Sequence, residues 1–145
     1  MAYKIEKSGD TFKATQTWNA AVGTAYDTPV LKDGFIYGLM APGVSGMRDG
    51  RTGNYACLNV SNGQVAWNDT ANNRNTTYRS IVEAGEVLFG LVENGTLTVF
   101  KADSTAFAQL ASYMVATKNV YAYPIIADKN IIIRDVTNVT LYTLP

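Results

Sequence analysis

Three segments of the chain repeat one pattern: an apolar strand, a two- or three-residue polar turn, and a second apolar strand. The segments are TPVLKDGFIYGL (28–39), RSIVEAGEVLFGL (79–91) and YPIIADKNIIIRD (123–135). The turn residues Gly34 and Gly85 lie 51 positions apart, and Asn130 follows 45 positions after Gly85. Gly and Asn tolerate the positive φ of tight hairpins. A hairpin that recurs at this spacing predicts an all-β chain built from repeats of propeller-blade length.

The segments around these hairpins are typical of further strands. The first hairpin is followed by NYACLNV and GQVAWND, the second by GTLTVFKAD and FAQLASYMV, and the third by VTLYTLP. Residues 104–116 have helical propensity, but the repeat assigns 106–115 to an outer strand. Within one structural domain, the prediction is therefore strands C and D of a split blade at 1–22, blades at 28–69 and 78–116, and strands A to C of a split blade at 121–145.

A glycine and a tryptophan are spaced four residues apart in CLNVSNGQVAW (57–67). Asn62 and Gly63 suit a tight turn between the third and fourth strands of a blade. Trp67 then falls on the outermost strand, where a large flat ring can cover the neighbouring turn and hold adjacent sheets together. Trp18 lies 49 residues earlier, at the equivalent place in the preceding unit. The pattern predicts tryptophan contacts between sheets.

This stretch resembles the tryptophan-docking motif of PQQ-like (quinoprotein-type) β-propeller repeats, Ala-x-Asp-x-x-Thr-Gly-x-x-x-Trp. Gly63 and Trp67 match the motif, whereas Cys57 replaces Ala, Asn59 replaces Asp and Asn62 replaces Thr. The resemblance extends over almost the whole chain, about three blades, and it is most specific from 28 to 69. It implies four-stranded antiparallel blades around a central channel.

The resemblance also bears on cofactors. Some members of that family carry pyrroloquinoline quinone with calcium, and many others have no cofactor and act as scaffolds. This sequence lacks the adjacent cysteine pair of the quinone enzymes, and half a propeller would not enclose the quinone within one chain. We therefore expect no quinone. Calcium remains an alternative, held by carboxylates near the inner hairpins at Asp27, Glu83, Asp128 and Asp135.

The predicted strands amount to about three and a half blades, and propellers close with roughly four to eight. Open sheet faces and unpaired strand edges are aggregation templates. We therefore expect a truncated propeller that is completed by a homodimer of about six blades. In this arrangement an outer strand near 11–20 of one chain completes the split blade at 121–145 of its partner. A ring of seven or eight blades is the structural alternative.

Charge and composition exclude several partners and mechanisms. Lys plus Arg and Asp plus Glu both number 12, so the formal net charge of zero disfavours nucleic acid and acidic membranes. No stretch of 18 apolar residues or signal-peptide pattern occurs, so we expect a soluble chain without a membrane span. Because the chain contains no His, any enzyme mechanism would need another base.

Loops joining the predicted blades would gather at one end of the sheets, where binding sites are commonly built. Arg and Tyr in these loops suit anionic or aromatic small molecules, although ordinary solvated loops would have the same composition. The candidate ligand-binding residues are Tyr26, Arg48, Arg51, Arg79, Tyr121 and Tyr123.

The sequence contains no specific catalytic signature. The candidates for a catalytic role are Cys57, Asp27, Glu83 and Asp135, although Cys57 suits a buried core position and Asp at strand ends commonly stabilises turns. We expect a non-catalytic scaffold, or a module that binds a ligand or protein. The alternative is a low-efficiency hydrolase of activated esters or phosphoesters, with its cavity between two half-propellers.

Overall fold

The computed structural model describes residues 1–23, 27–42, 54–69 and 78–144. Within these ranges the chain consists of small antiparallel sheets and contains no helix, which confirms the predicted all-β fold and is consistent with a propeller-like fragment. Within the segment predicted as an outer strand at 106–115, Gln109–Met114 form a strand and no helix is present. The described ranges accordingly contain no helix that could cross a membrane.

A hairpin and three sheets follow one another along the chain. The N-terminal hairpin contains β1 (Ala2–Ser8) and β2 (Thr11–Trp18). The first sheet contains β3 (Val22–Gly23), β4 (Val30–Lys32), β5 (Phe35–Pro42), β6 (Asn54–Asn59) and β7 (Val65–Asn68), with both β3 and β4 paired to β5. The second sheet contains β8 (Arg79–Ala84), β9 (Val87–Val92), β10 (Thr96–Lys101) and β11 (Gln109–Met114). The third sheet contains β12 (Ile125–Ala127), β13 (Asn130–Arg134) and β14 (Val139–Thr143).

The first hairpin of each sheet turns through two residues, and backbone conformation decides which residue types stand there. Gly34 and Gly85 have positive φ, at 79° and 67°, as the sequence predicts. In the third sheet the prediction of Asn130 was wrong, because the residue with positive φ is Asp128, at 51°. Asn130 instead begins β13 and pairs with Ala127, so it closes the turn from the strand side.

The three sheets stack in chain order, and each buries apolar side chains against the next. We call the face of a sheet that points to the following sheet its back, and the opposite face its front. Tyr37 and Cys57 on the back of the first sheet form one core with Ile81, Leu88 and Phe100 on the front of the second. A second core joins the back of the second sheet to the front of the third through Phe89, Leu91, Leu97, Ile131 and Ile133.

The front of the first sheet is only partly covered. Met40, Ala56 and Leu58 are buried there beneath Ala20 and Val22, which belong to the segment between the N-terminal hairpin and β4. Leu31 and Val65 belong to the same face by strand register and remain exposed. This segment therefore places the N-terminal hairpin beside the front of the first sheet.

Candidate functional site

Two tryptophans bind the turn of the sheet that follows them. The Trp18 indole Nε1 donates a hydrogen bond to the Val60 carbonyl at 2.8 Å, in the turn between β6 and β7. Its ring lies directly on Gly63, where a Cβ atom would collide with it. The Trp67 Nε1 donates to the Asp103 carbonyl at 2.7 Å, after β10. These contacts connect the hairpin to the first sheet and the first sheet to the second.

Trp18 and Trp67 also occupy equivalent positions in their strand pairs. A register shift precedes each tryptophan, so that Trp18 pairs with Ala2 while Gln16 pairs with Tyr3. In the first sheet Trp67 pairs with Cys57 while Val65 pairs with Leu58. A bulge of this kind re-aims a side chain and bends the strand. Each bulge thus turns its tryptophan toward the following sheet and leaves the strand residues before it facing the other way.

The two turns that receive these contacts, and the turn between β13 and β14, are each closed by an Asn or Asp side chain. Asn59 Oδ1 accepts from the Ser61 backbone N–H at 2.8 Å, and Asp103 Oδ1 accepts from that of Thr105 at 2.7 Å. Asp135 Oδ1 accepts from the backbone N–H groups of Thr137 and Asn138, at 2.7 and 2.6 Å. The Thr137 backbone hydrogen bond is the main cause of the lowered pKa of Asp135. The structure therefore places this catalytic candidate in a turn.

A cluster of tyrosines lies where loops precede β8 and β12. The Tyr78 and Tyr121 rings meet edge to face with their centroids 5.8 Å apart. The Tyr121 hydroxyl donates to Glu93 Oε1 at 3.0 Å and accepts from Asn119 Nδ2 at 2.8 Å. Tyr121 is one of the sequence-predicted ligand residues, and half of it is exposed. We call Tyr78, Tyr121 and Tyr123 the tyrosine cluster.

Tyr123 connects this cluster to the start of the first sheet. Its hydroxyl accepts a hydrogen bond from the Thr28 backbone N–H at 2.6 Å, across 95 positions of sequence. Burial raises the pKa of Tyr78, and the nearby charges of Tyr123 and Asp27 raise it further. The structure thus places Tyr121, Tyr123 and Asp27 close to Tyr78, and a ligand at this place stays a prediction.

Of the remaining ligand candidates, Arg79 lies within the described residues. Arg79 begins β8 and is buried, with its guanidinium carbon 6.0 Å from the centre of the Tyr55 ring. Arg79 is 4% exposed and therefore has little surface for a ligand. Tyr26, Arg48 and Arg51 lie outside the described residues.

Two of the catalytic candidates, Glu83 and Cys57, lie between the first and second sheets, one in an ion pair and the other in the core. Glu83 Oε1 accepts from Lys32 Nζ at 2.7 Å, an ion pair that joins the front of the second sheet to the first sheet. Cys57 has no exposed surface and belongs to the core between these sheets. Burial raises the pKa of its thiol to about 11, although a hydrogen bond with Tyr37 lowers it in part. Among the described residues, no three Cys, Asp or Glu side chains are grouped to hold a metal ion.

Because Cys57 is the single cysteine, its reactivity can be measured without ambiguity. At pH 8 we expect a thiol reagent to label the folded chain at least about 100-fold more slowly than the unfolded chain, since a pKa of about 11 rather than 9.0 leaves about a hundredth of the thiolate. Stopped labelling with mass detection, with and without denaturant, measures the ratio. Equal rates would contradict the buried position and would favour a nucleophilic Cys57.

An open surface pocket of about 490 Å³ lies between the turn after β8 and the end of β10. Lys101, Asp103 and Glu86 are its charged lining residues. None of the sequence-predicted site residues lines it. Glu93 and Asn119, which hold Tyr121, were likewise missed by sequence reasoning, because an acid and an amide in turns have no distinctive spacing.

No protein-family model and no curated protein matches the sequence. Among solved structures, the chain is similar to the crystal structure of the computationally designed Ika8 protein, with a TM-score of 0.62 and 9% sequence identity. The alignment covers 93% of this chain but only 38% of the solved chain, so this chain spans well under half of that protein's length. At this identity the likeness shows the fold alone.

Proposed function

We propose that this protein is a non-catalytic scaffold of the PQQ-like β-propeller type, and that it assembles with a second copy of itself by exchanging strands. The observation that carries the proposal is the N-terminal hairpin, which Trp18 attaches to the first sheet while its apolar face stays uncovered. Tyr3, Ile5 and Phe12 share this face by register, and Ile5 and Phe12 are 69% and 71% exposed. Exposed apolar sheet faces of this kind are typical of association surfaces.

The direction in which this face points supports the same assembly. Because the bulge turns Trp18 toward the first sheet, Phe12 and Ile5 point away from that sheet. On the second sheet Tyr113 pairs with Leu97, which places it on the back of that sheet, yet it remains 57% exposed because it lies on the outermost strand. In the proposed dimer, the exposed Tyr113 on β11 of the second copy would cover the apolar face of the hairpin.

The third sheet has an unpaired strand edge in the described part of the chain. Its strand β14 pairs with β13 on one edge, and no described strand pairs with the other. An antiparallel β2 from a second copy would add the fourth strand, and β1, which stays paired with β2, would add a fifth. Two chains related by a two-fold axis would then form a ring of six sheets.

The proposal predicts a dimer in solution that depends on one face of the hairpin. We expect light scattering to give twice the 15.7 kDa chain mass. The variant Phe12→Asp should be mainly monomeric at micromolar concentration, because it replaces the exposed aromatic ring with a carboxylate that the association surface would have to bury, even when the carboxylate is paired with the cross-strand Lys7.

The matched control is Thr15→Asp, one position past the Ala14 that shares the face of Phe12, so its side chain lies on the opposite, polar face of the same hairpin. It should remain dimeric. A monomeric wild-type chain, or equal effects of the two variants, would contradict the proposal.

A ligand at the tyrosine cluster is compatible with this scaffold and stays a prediction, as does the alternative hydrolase. No contact in the described residues favours hydrolysis over binding: Asp135 stabilises a turn, Glu83 pairs with Lys32, and Cys57 is buried.

A further inference from the structure

The stacking of sheets within the chain follows one rule of register. Ile36, Leu88 and Ile131 each lie two residues after the hairpin turn of their sheet, and all three are on the front face. Tyr37, Phe89 and Ile132 each lie three residues after that turn, and all three are on the back face. Tyr37 packs in the core with Leu88, and Phe89 packs in the core with Ile131. The same stacking is thus used twice.

Two faces remain for a third use of this stacking. The back of the third sheet presents Ile125, Ile132 and Leu141 in one cross-strand row, with Ile125 59% and Leu141 61% exposed. The front of the first sheet presents Leu31, Ile36 and Leu58 in one row, with Leu31 64% exposed. In strand register, the row of the third sheet is equivalent to the row that contains Tyr37 on the back of the first sheet. The row of the first sheet is equivalent to the row that contains Leu88 on the front of the second sheet, and these two internal rows pack against each other.

We propose that the back of the third sheet of one copy packs directly on the front of the first sheet of a second copy, with the row of Ile125, Ile132 and Leu141 against the row of Leu31 and Ile36. This inference rests on the proposed assembly and adds the surfaces, their orientation and their register. Leu58 is buried in the cluster with Ala20 and Val22, and Ile36 is partly buried against it, so Leu31 is the accessible member of this row.

An ion pair within the chain indicates which residues face each other across the new contact. Lys32 and Glu83 pair at 2.7 Å where the first sheet meets the second. Lys32 stands directly before the turn of the first sheet, and Ala127 has that position in the third sheet. Glu83 stands one position earlier relative to the turn of the second sheet, and Leu31 has that position in the first sheet. Ala127 and Leu31 are therefore the equivalent residues at the contact between copies. A small and a large apolar side chain thus replace the charged pair. The contact between copies is therefore apolar at the position where the internal contact has a partly exposed ion pair.

The contact joins two different surfaces, so a two-fold dimer contains it twice. This property provides a test by complementation. Leu31→Glu alters one surface and Ala127→Lys alters the other. A dimer of either variant contains two damaged contacts. A mixed dimer contains one unchanged contact and one in which the new acid faces the new base, in the arrangement of Lys32 and Glu83.

We expect each single variant to raise the dissociation constant of the dimer by at least about 10-fold, because an unpaired charge replaces an apolar contact at both interfaces. Co-refolding the two variants at equal concentration should give a heterodimer as the main species in native mass spectrometry. Placing both substitutions on one chain should restore the homodimer. The control Val136→Glu, on an exposed turn of the third sheet, should dimerise normally, and circular dichroism verifies that every variant is folded.

The outcomes separate this inference from the proposed function. A monomeric wild-type chain overturns both. If the wild type is dimeric but the single variants dimerise equally well, the strand exchange stands and the stacked faces are wrong. If only one variant loses the dimer, or if mixing gives no heterodimer, the two faces do not meet each other and the inference is overturned.

Discussion

Replacing Trp67 with alanine is expected to lower the free energy of unfolding by about 3–5 kcal/mol, the range for removing a large aromatic side chain from a core. Trp67 is buried and contacts Tyr37 and Phe107, with ring centroids 6.2 and 5.7 Å away. The substitution also leaves the Asp103 carbonyl without its indole donor. Chemical denaturation followed by far-ultraviolet circular dichroism measures the change.

The variant Trp67→Phe separates packing from hydrogen bonding. It keeps an aromatic ring in the core and removes the donor, so we expect a smaller loss, of about 1–3 kcal/mol. An alanine variant as stable as the wild type would show that Trp67 does not hold the first and second sheets together.

The variant Gly63→Ala is expected to detach the N-terminal hairpin as well as destabilise the turn. Gly63 has a φ of 71°, and an L residue in the left-handed region costs about 1–2 kcal/mol. In addition, the new Cβ would overlap the Trp18 ring, so the indole must leave its place on the turn. We expect Trp18 to lose its hydrogen bond to Val60, and the dimer to weaken because the hairpin is no longer positioned.

Gly85→Ala is the matched control for this substitution. Gly85 has a similar φ of 67°, but a Cβ there would meet nothing within 4 Å. Both variants therefore have a similar energetic cost from placing an L residue at positive φ. The difference between their effects measures the contact of Trp18 with the turn. Tryptophan fluorescence and light scattering are the readouts. If Gly85→Ala alters both as much as Gly63→Ala does, the ring contact has no role in placing the hairpin.

Strand positions could be predicted well because each strand has its own local signal. Alternating apolar residues set the two faces of a strand, and glycine at a turn accommodates the positive φ that a hairpin requires. The failure at Asn130 has the same origin: Asp and Asn both tolerate positive φ, so composition alone did not show which of Asp128 and Asn130 occupies the turn. The two-residue strand β3 was missed because Val22–Gly23 is too short to show a period.

The candidate site was predictable only in part. Loop position brought Tyr121 and Tyr123 to one end of the sheets, but Arg79 lies in the core because the first residue of β8 points inward. Tyr26, Arg48 and Arg51 lie outside the described residues, so their part in ligand binding stays a prediction. Cys57 was expected in the core and lies there, since its neighbours alternate regularly along β6.

The sequence by itself determined the all-β class, the order of the hairpins and the positions of both tryptophans, because these depend on short-range alternation and on turn chemistry. Only the tertiary structure decided which face each strand buries, which turn each tryptophan contacts, and which apolar rows stay open. Those properties depend on bulges that reverse side-chain direction and on the stacking of sheets far apart in sequence. A one-residue register shift at Trp18 turns Phe12 away from its own chain, and the residues preceding it carry no local sign of that reversal.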